Sequence, residues 1–132
     1  MLINLSNHPK ATWQKEQIRA ANETYGEIVD LLFPNVPSNS NIEEVIELSK
    51  IYVNRVDELL KKNKDKNAVH IMGEFTFTYN FVLQMSMKGI ETIVSTSERI
   101  VQKSENGVKQ STFRFVGYRN YNSKNQLYKS TN

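Results

Sequence analysis

Apolar and polar positions recur in this chain with two periods, one near two and one near 3.6, and each change of period marks an element boundary. Leu2 to Leu5 is a short apolar run closed by Ser6-Asn7-His8-Pro9, a cluster that ends a strand in a loop. From Thr12 to Tyr25 the side chains Trp13, Ile18, Ala21 and Tyr25 recur at helical spacing, with Thr12 as candidate N-cap and Gly26 as the stop. Glu27 to Phe33 is a β-branched and leucine-rich run, stopped by Pro34 and Pro37, and suits a buried parallel strand. A capping box follows, Ser40 with Glu43 or Asn41 with Glu44. It precedes the stripe Ile42, Val45, Ile46, Tyr52, Val53, Val56, Leu59 and Leu60, which predicts a long second helix.

Ala68 to Met72 reads as a third strand and runs directly into Gly73-Glu74. Phe77, Phe81, Val82 and Met85 then share a helical face closed by Gly89, so a third helix is expected to start near Thr76 or Thr78. Ile90 to Ser95 is a fourth strand whose polar continuation, Thr96 to Lys103, meets the hairpin signal Asn106-Gly107. Val108 to Tyr118 returns as a fifth. Three alternations of strand and helix before a hairpin predict an α/β domain over residues 1–121. Right-handed crossovers give its mostly parallel sheet the order 2-1-3-4-5, with an antiparallel C-terminal hairpin. Residues 122–132 are polar apart from Leu127 and Tyr128 and are expected to form a loose tail. Ligands of such sheets bind outside the carboxyl ends of the strands where the chain reverses direction, here between strands one and three. The flanking loops are Ser6 to Thr12 and Gly73 to Thr78.

Composition narrows the chemistry. At 132 residues and 39% hydrophobic, the chain suits one domain with one core. It has no cysteine, so disulfides, thiolate metal sites and thiol nucleophiles are excluded. The net charge of +3 lies partly in the lysine-rich stretch 61–66 and in the tail, and reads as solvating charge rather than a duplex nucleic-acid surface. No apolar run approaches a membrane span, and Met1-Leu2-Ile3-Asn4 lacks the basic start of a signal segment, so a cytoplasmic protein is expected. No histidine pair or carboxylate cluster has metal-ligand spacing, and neither metal nor cofactor is expected.

Three constellations could carry chemistry. Ser6, Asn7 and His8 supply a hydroxyl, an amide and an imidazole just ahead of a helix, a setting for a phosphate or simply a turn beside a solvated histidine. Gly73 permits close approach of another group, and Glu74, Thr76 and Thr78 place a carboxylate and two hydroxyls at the start of helix three, donors for a phosphate or ribose or caps for the helix. The loop has neither the three spaced glycines of a dinucleotide fingerprint nor a Gly-Lys-Ser/Thr phosphate loop, which argues against dinucleotide redox chemistry and nucleoside triphosphate hydrolysis. Ser95, Thr96, Ser97, Glu98 and Arg99 follow strand four. If Asn106-Gly107 is a two-residue type I′ turn, Arg99 lies opposite Arg114, a repulsive pair unless an anion sits between them. A three-residue loop, Glu105 to Gly107, instead sets Glu98 opposite Arg114. His70, inside strand three, reads as a satisfied core histidine.

The run Leu2 to Pro9 followed by Trp13, the segment Val69 to Thr78, and Ser95 to Arg99 together resemble small Rossmann-like proteins that accompany type III CRISPR systems, the CARF group with its stand-alone ring nucleases. The resemblance spans most of residues 1–121 and implies a Rossmann-like three-layer sandwich. It also implies a homodimer whose carboxyl ends form one pocket for a cyclic oligoadenylate, bound as a second messenger and sometimes cleaved. Cleavage needs no metal when a ribose 2′-hydroxyl attacks its own phosphate. His8 or Glu74 would then move protons, Ser6, Thr76 and Thr78 hold phosphate or ribose, and Arg99 or Arg114 stabilise the phosphorane. This chain departs from that pattern in having no lysine beside the Gly73 turn. Two competing readings are a nucleotide binder without turnover and a protein-interaction module that docks through Phe113, Phe115, Tyr118 and Tyr121.

Overall fold

The first strand, β1 (Leu2–Ser6), is buried at all five residues, as a strand covered on both faces and paired on both edges must be. Two strands flank it in parallel, β2 (Ile28–Leu32) and β3 (Ala68–Met72). Beyond β3 lies β4 (Glu91–Lys103), also parallel, and β5 (Lys109–Asn120) closes on it antiparallel. The order is β2-β1-β3-β4-β5, the one that right-handed crossovers predict. Helix α1 (Lys15–Tyr25) covers one face, and α2 (Ile42–Lys61) and α3 (Phe75–Met87) cover the other, a three-layer α/β sandwich. The computed structural model describes residues 1–123, so the expected tail lies outside the described residues from position 124 on. Among the described residues no helix is long and apolar enough to cross a membrane.

Side-chain alternation along β1 divides the core. Leu2 joins Trp13, Ala21, Tyr25 and Ile28 under α1. Ile3 and Leu5 join Val45, Val53, Val56, Phe77 and Phe81 under α2 and α3.

Several boundaries differ from the sequence reading. Helix α1 begins at Lys15, with Gln14 rather than Thr12 at its N-cap, because Trp13 is extended (ψ 149°) and its indole N–H is drawn to the His8 carbonyl. Thr12 sits in a short 3₁₀ turn and donates to the Pro9 carbonyl. Strand β2 is at the sheet edge with Asp30 and Leu32 exposed, not a fully buried strand. Of the two capping boxes, Asn41 with Glu44 forms. Helix α3 starts at Phe75, earlier than the threonines suggested, because Glu74 rather than Thr76 or Thr78 caps it.

Gly73 does permit close approach, and the approaching group is the Phe33 ring. A Cβ on Gly73 would lie 2.2 Å from Phe33 Cζ. That ring is buried and held edge-on against Phe77 at 5.1 Å, so it has little room to retreat. Gly73→Ala is therefore expected to destabilise the fold by about 2 kcal/mol through overpacking. Urea denaturation checks this, and the double variant with Phe33→Leu should recover part of the loss, since the two positions share one contact.

The hairpin adopts the three-residue loop. Ser104 and Val108 close it, with Ser104 N–H donating to the Val108 carbonyl and Gly107 N–H to that of Ser104. Gly107 has φ 73° and among the described residues no non-glycine residue has positive φ, whereas a type I′ turn needs positive φ at Asn106 as well. Of the two registers the sequence allowed, the one that opposes Arg99 and Arg114 does not form and the other does: Arg99 faces Phe113 and Glu98 faces Arg114. Glu98 and Arg114 form an exposed ion pair. An extra residue in β5, Val116, makes a bulge opposite Thr96 and Ser97. The four hairpin aromatics are not turned alike. The Tyr118 hydroxyl donates to the Gln17 carbonyl and that of Tyr121 to the Ile71 carbonyl, leaving Phe113 exposed and Phe115 half-buried.

Candidate functional site

The middle residue of each of the first three strands is polar: Asn4, Asp30 and His70. Register sets them side by side, Asn4 between Asp30 and His70, on the face covered by α1. A hydrogen-bonded row results. Asn4 Nδ2 donates to Asp30 Oδ1 (2.8 Å), and Asn4 Oδ1 lies 3.0 Å from His70 Nδ1. His70 Nε2 lies 3.2 Å from the Ser95 hydroxyl, which is also 3.1 Å from Met72 Sδ. One polar group from each of four strands thus spans the carboxyl half of the sheet.

The amide orientation follows from its partners. Both Nδ2 contacts, Asp30 Oδ1 and the His8 carbonyl, are acceptors, so Oδ1 must face the donors Ser6 and His70. His70 therefore carries its proton on Nδ1 and offers Nε2 to Ser95. Its ring is 1% exposed, edge-on to Trp13 at 5.1 Å and to Tyr118 at 5.8 Å. Desolvation, with a smaller contribution from nearby His8, pushes its pKa down to about 4, so it is neutral at physiological pH. The β3–β4 pairing extends only from Ala68 to His70, and the bond from His70 to Ser95 carries the contact between the strands one step further.

This row pins the loop after β1. The His8 carbonyl accepts from Asn4 Nδ2 and from Trp13 Nε1, both at 2.9 Å, with Ser6 Oγ at 3.2 Å. The Lys10 N–H donates to Asp30, and Lys10 Nζ reaches the Ile28 carbonyl. With the backbone held this way, the side chains of Asn7 and His8 are exposed at the carboxyl edge of β1, next to the reversal point.

Not all the expected site residues join them. Ser6 and Ser95 belong to the row, although Ser6 is buried and donates to Asn4 Oδ1. Glu74 caps α3: its carboxylate accepts from the backbone N–H groups of Thr76 and Phe77 and from the Thr76 hydroxyl. Desolvation alone would raise its pKa, but these hydrogen bonds outweigh it and hold the carboxyl below its usual range. The N–H groups that the expected phosphate would use at this helix N-terminus thus already face the Glu74 carboxylate. Thr78 is buried in the α3 packing, and among the described residues its hydroxyl has no hydrogen-bond partner. Thr96 donates to the Gly117 carbonyl at the bulge, and Ser97 is exposed. Arg99 lies about 13 Å along β4 from Ser95 and donates to Ser111, while Arg114 points to the opposite face.

Sequence reasoning missed Asn4, Asp30 and Trp13 as site residues and placed His70 in the core without a role. The signal was present as a polar residue at the centre of each of three strands that are apolar but for Ser6 at the end of β1. Among the described residues no three His, Asp or Glu come together as a metal-holding group.

Comparison with known proteins gives the chain a family. No curated protein and no solved structure matches it. A family profile matches residues 1–119, which include every element described above except the last residue of β5, and the chain belongs to the family described as the uncharacterized protein MJ1673 family.

Proposed function

We propose that this protein binds an anionic nucleotide of the cyclic oligoadenylate type at the carboxyl edge of β1 and β3, as a sensor or sequestering protein. One observation carries the reading: three buried side chains, Asn4, Ser6 and Trp13, hold the His8 carbonyl so that an imidazole and an amide stand in solvent at the reversal point of the sheet. Ordering a loop costs conformational entropy, and a fixed, exposed His-Asn pair is of use to a ligand that needs donors for phosphate and ribose oxygens. The resemblance to the CARF group supports the same ligand class.

Binding is better supported than turnover. Glu74, one candidate proton carrier, is committed to the cap of α3 as an ionised group. Arg99 is engaged with Ser111 out on the hairpin. His8 is left without a paired acid or base, and general acid–base cleavage works best with both. Calorimetric titration with cyclic tetra-adenylate, its linear counterpart and AMP tests the proposal. The cyclic ligand should bind and raise the melting temperature by mass action. Asn7→Ala and His8→Ala should each weaken binding about tenfold or more, the worth of a hydrogen bond to a charged group, without altering the apo melt. No binding by any of the three nucleotides would remove the proposal, and loss of intact ring on incubation would replace a binder with an enzyme.

A further inference from the structure

Helix α3 carries no charged residue in its thirteen positions, Phe75 to Met87. One side is core, with Phe77, Phe81 and Met85 fully buried. The other side presents Phe75, Tyr79, Leu83 and Met87 at 89%, 68%, 43% and 60% exposure. These four recur every four residues and so form one ridge along the helix. A helix apolar all round belongs inside a structure, yet half of this one faces solvent in the single chain. Scattered exposed apolar residues need no explanation, but an unbroken ridge does.

We infer that this ridge is the contact between two copies of the chain. Charge and area both favour a second copy as the occupant. A lipid surface or a nucleic acid would be held by cations, and α3 offers none. A self-contact through an uncharged ridge buries no charge and sets no like charges against each other across the two-fold axis, so it carries no desolvation penalty for an ion. The four exposures amount to roughly 500 Å² per copy, taking a large side chain at about 200 Å². Two copies bury about 1,000 Å², the lower bound for a specific interface before flanking residues contribute. The four-residue ridge also interdigitates with a copy of itself in the commonest helix-packing geometry. This interface differs from the aromatic hairpin, whose Tyr118 and Tyr121 are turned into their own chain. Its Phe75 end directly follows Glu74, so the contact starts at the edge of the nucleotide site while remaining independent of that assignment.

Sedimentation velocity on the full chain at micromolar concentration tests the inference. The wild-type chain should run at twice its monomer mass. Tyr79→Glu together with Leu83→Glu should run as a monomer, a loss of at least a hundredfold in dimer affinity, with an unchanged circular dichroism spectrum because both positions face solvent. Phe75→Ser with Met87→Ser, which adds no charge, should weaken the dimer in the same direction and serves if the glutamate pair fails to fold. Phe113→Glu on the hairpin should leave the dimer intact. A monomeric wild-type chain, a dimer that survives folded α3 variants, or a dimer broken by Phe113→Glu would each overturn the assignment.

Discussion

Asn4→Ala is expected to destabilise the protein by about 3 kcal/mol, more than an ordinary polar truncation, because Asn4 satisfies four partners at once from a site that is 1% exposed. The partners do not suffer equally. Asp30 is exposed and can turn to water, and the Ser6 hydroxyl can turn to the His8 carbonyl 3.2 Å away. The His70 Nδ1–H cannot, and a buried donor left unmade costs about 1–3 kcal/mol, to which the vacated space adds its own term. Urea denaturation at neutral pH measures the total. The same variant should lose nucleotide binding, since the His8 carbonyl loses one of its anchors, whereas His8→Ala should lose binding alone. A cost below 1 kcal/mol would mean that the row does not hold the carboxyl edge together.

Acidification should produce the other large effect. His70 has a folded pKa of about 4 against 6.5 for an unperturbed histidine. The unfolded chain therefore binds the extra proton first, and stability falls as pH drops from about 6.5 toward 4. Above that window the contribution is complete; below it the contribution is lost. A shift of this size corresponds to about 3 kcal/mol across the window. The slope arises because a charged imidazole would stand without water between Trp13 and Tyr118, and both its nitrogens would have to donate. Ser95 could accept one such bond by rotating its hydroxyl away, but the desolvation cost would remain. Denaturant midpoints taken at half-unit steps from pH 7.5 to 4.5 trace the effect. His70→Gln should be less stable at neutral pH and much flatter in this range. Glu74, held below the usual carboxylate range, loses its own contribution only at lower pH, so the two can be separated. A wild-type profile flat between pH 6.5 and 4.5 would mean that His70 titrates normally and that the imidazole is reached by water.

Element order and sheet topology followed from the sequence because both depend on short-range terms. The period of apolar residues separates strands from helices, and the fixed hand of the crossover leaves few arrangements for three strand–helix units and a hairpin, the observed one among them. The reversal point between β1 and β3, and hence the edge where a ligand would sit, came with that topology. Which polar groups meet at the edge did not. Asn4, Asp30 and His70 stand 26 and 66 positions apart in the chain, and only strand register brings them into one row. Glu74 and Thr76 read as ligands for an anion because their spacing suits one, but the Glu74 carboxylate takes the first backbone N–H groups of α3 and the Thr76 hydroxyl for itself. Gly73 announced a close approach without naming Phe33, which is forty residues away. The hairpin register turned on the sign of one backbone angle at Asn106, which the Asn-Gly pair leaves free to go either way. The sequence by itself thus determined what is local and periodic. Tertiary structure decided the contacts, because a buried polar group takes whichever partner the packing brings within about 3 Å.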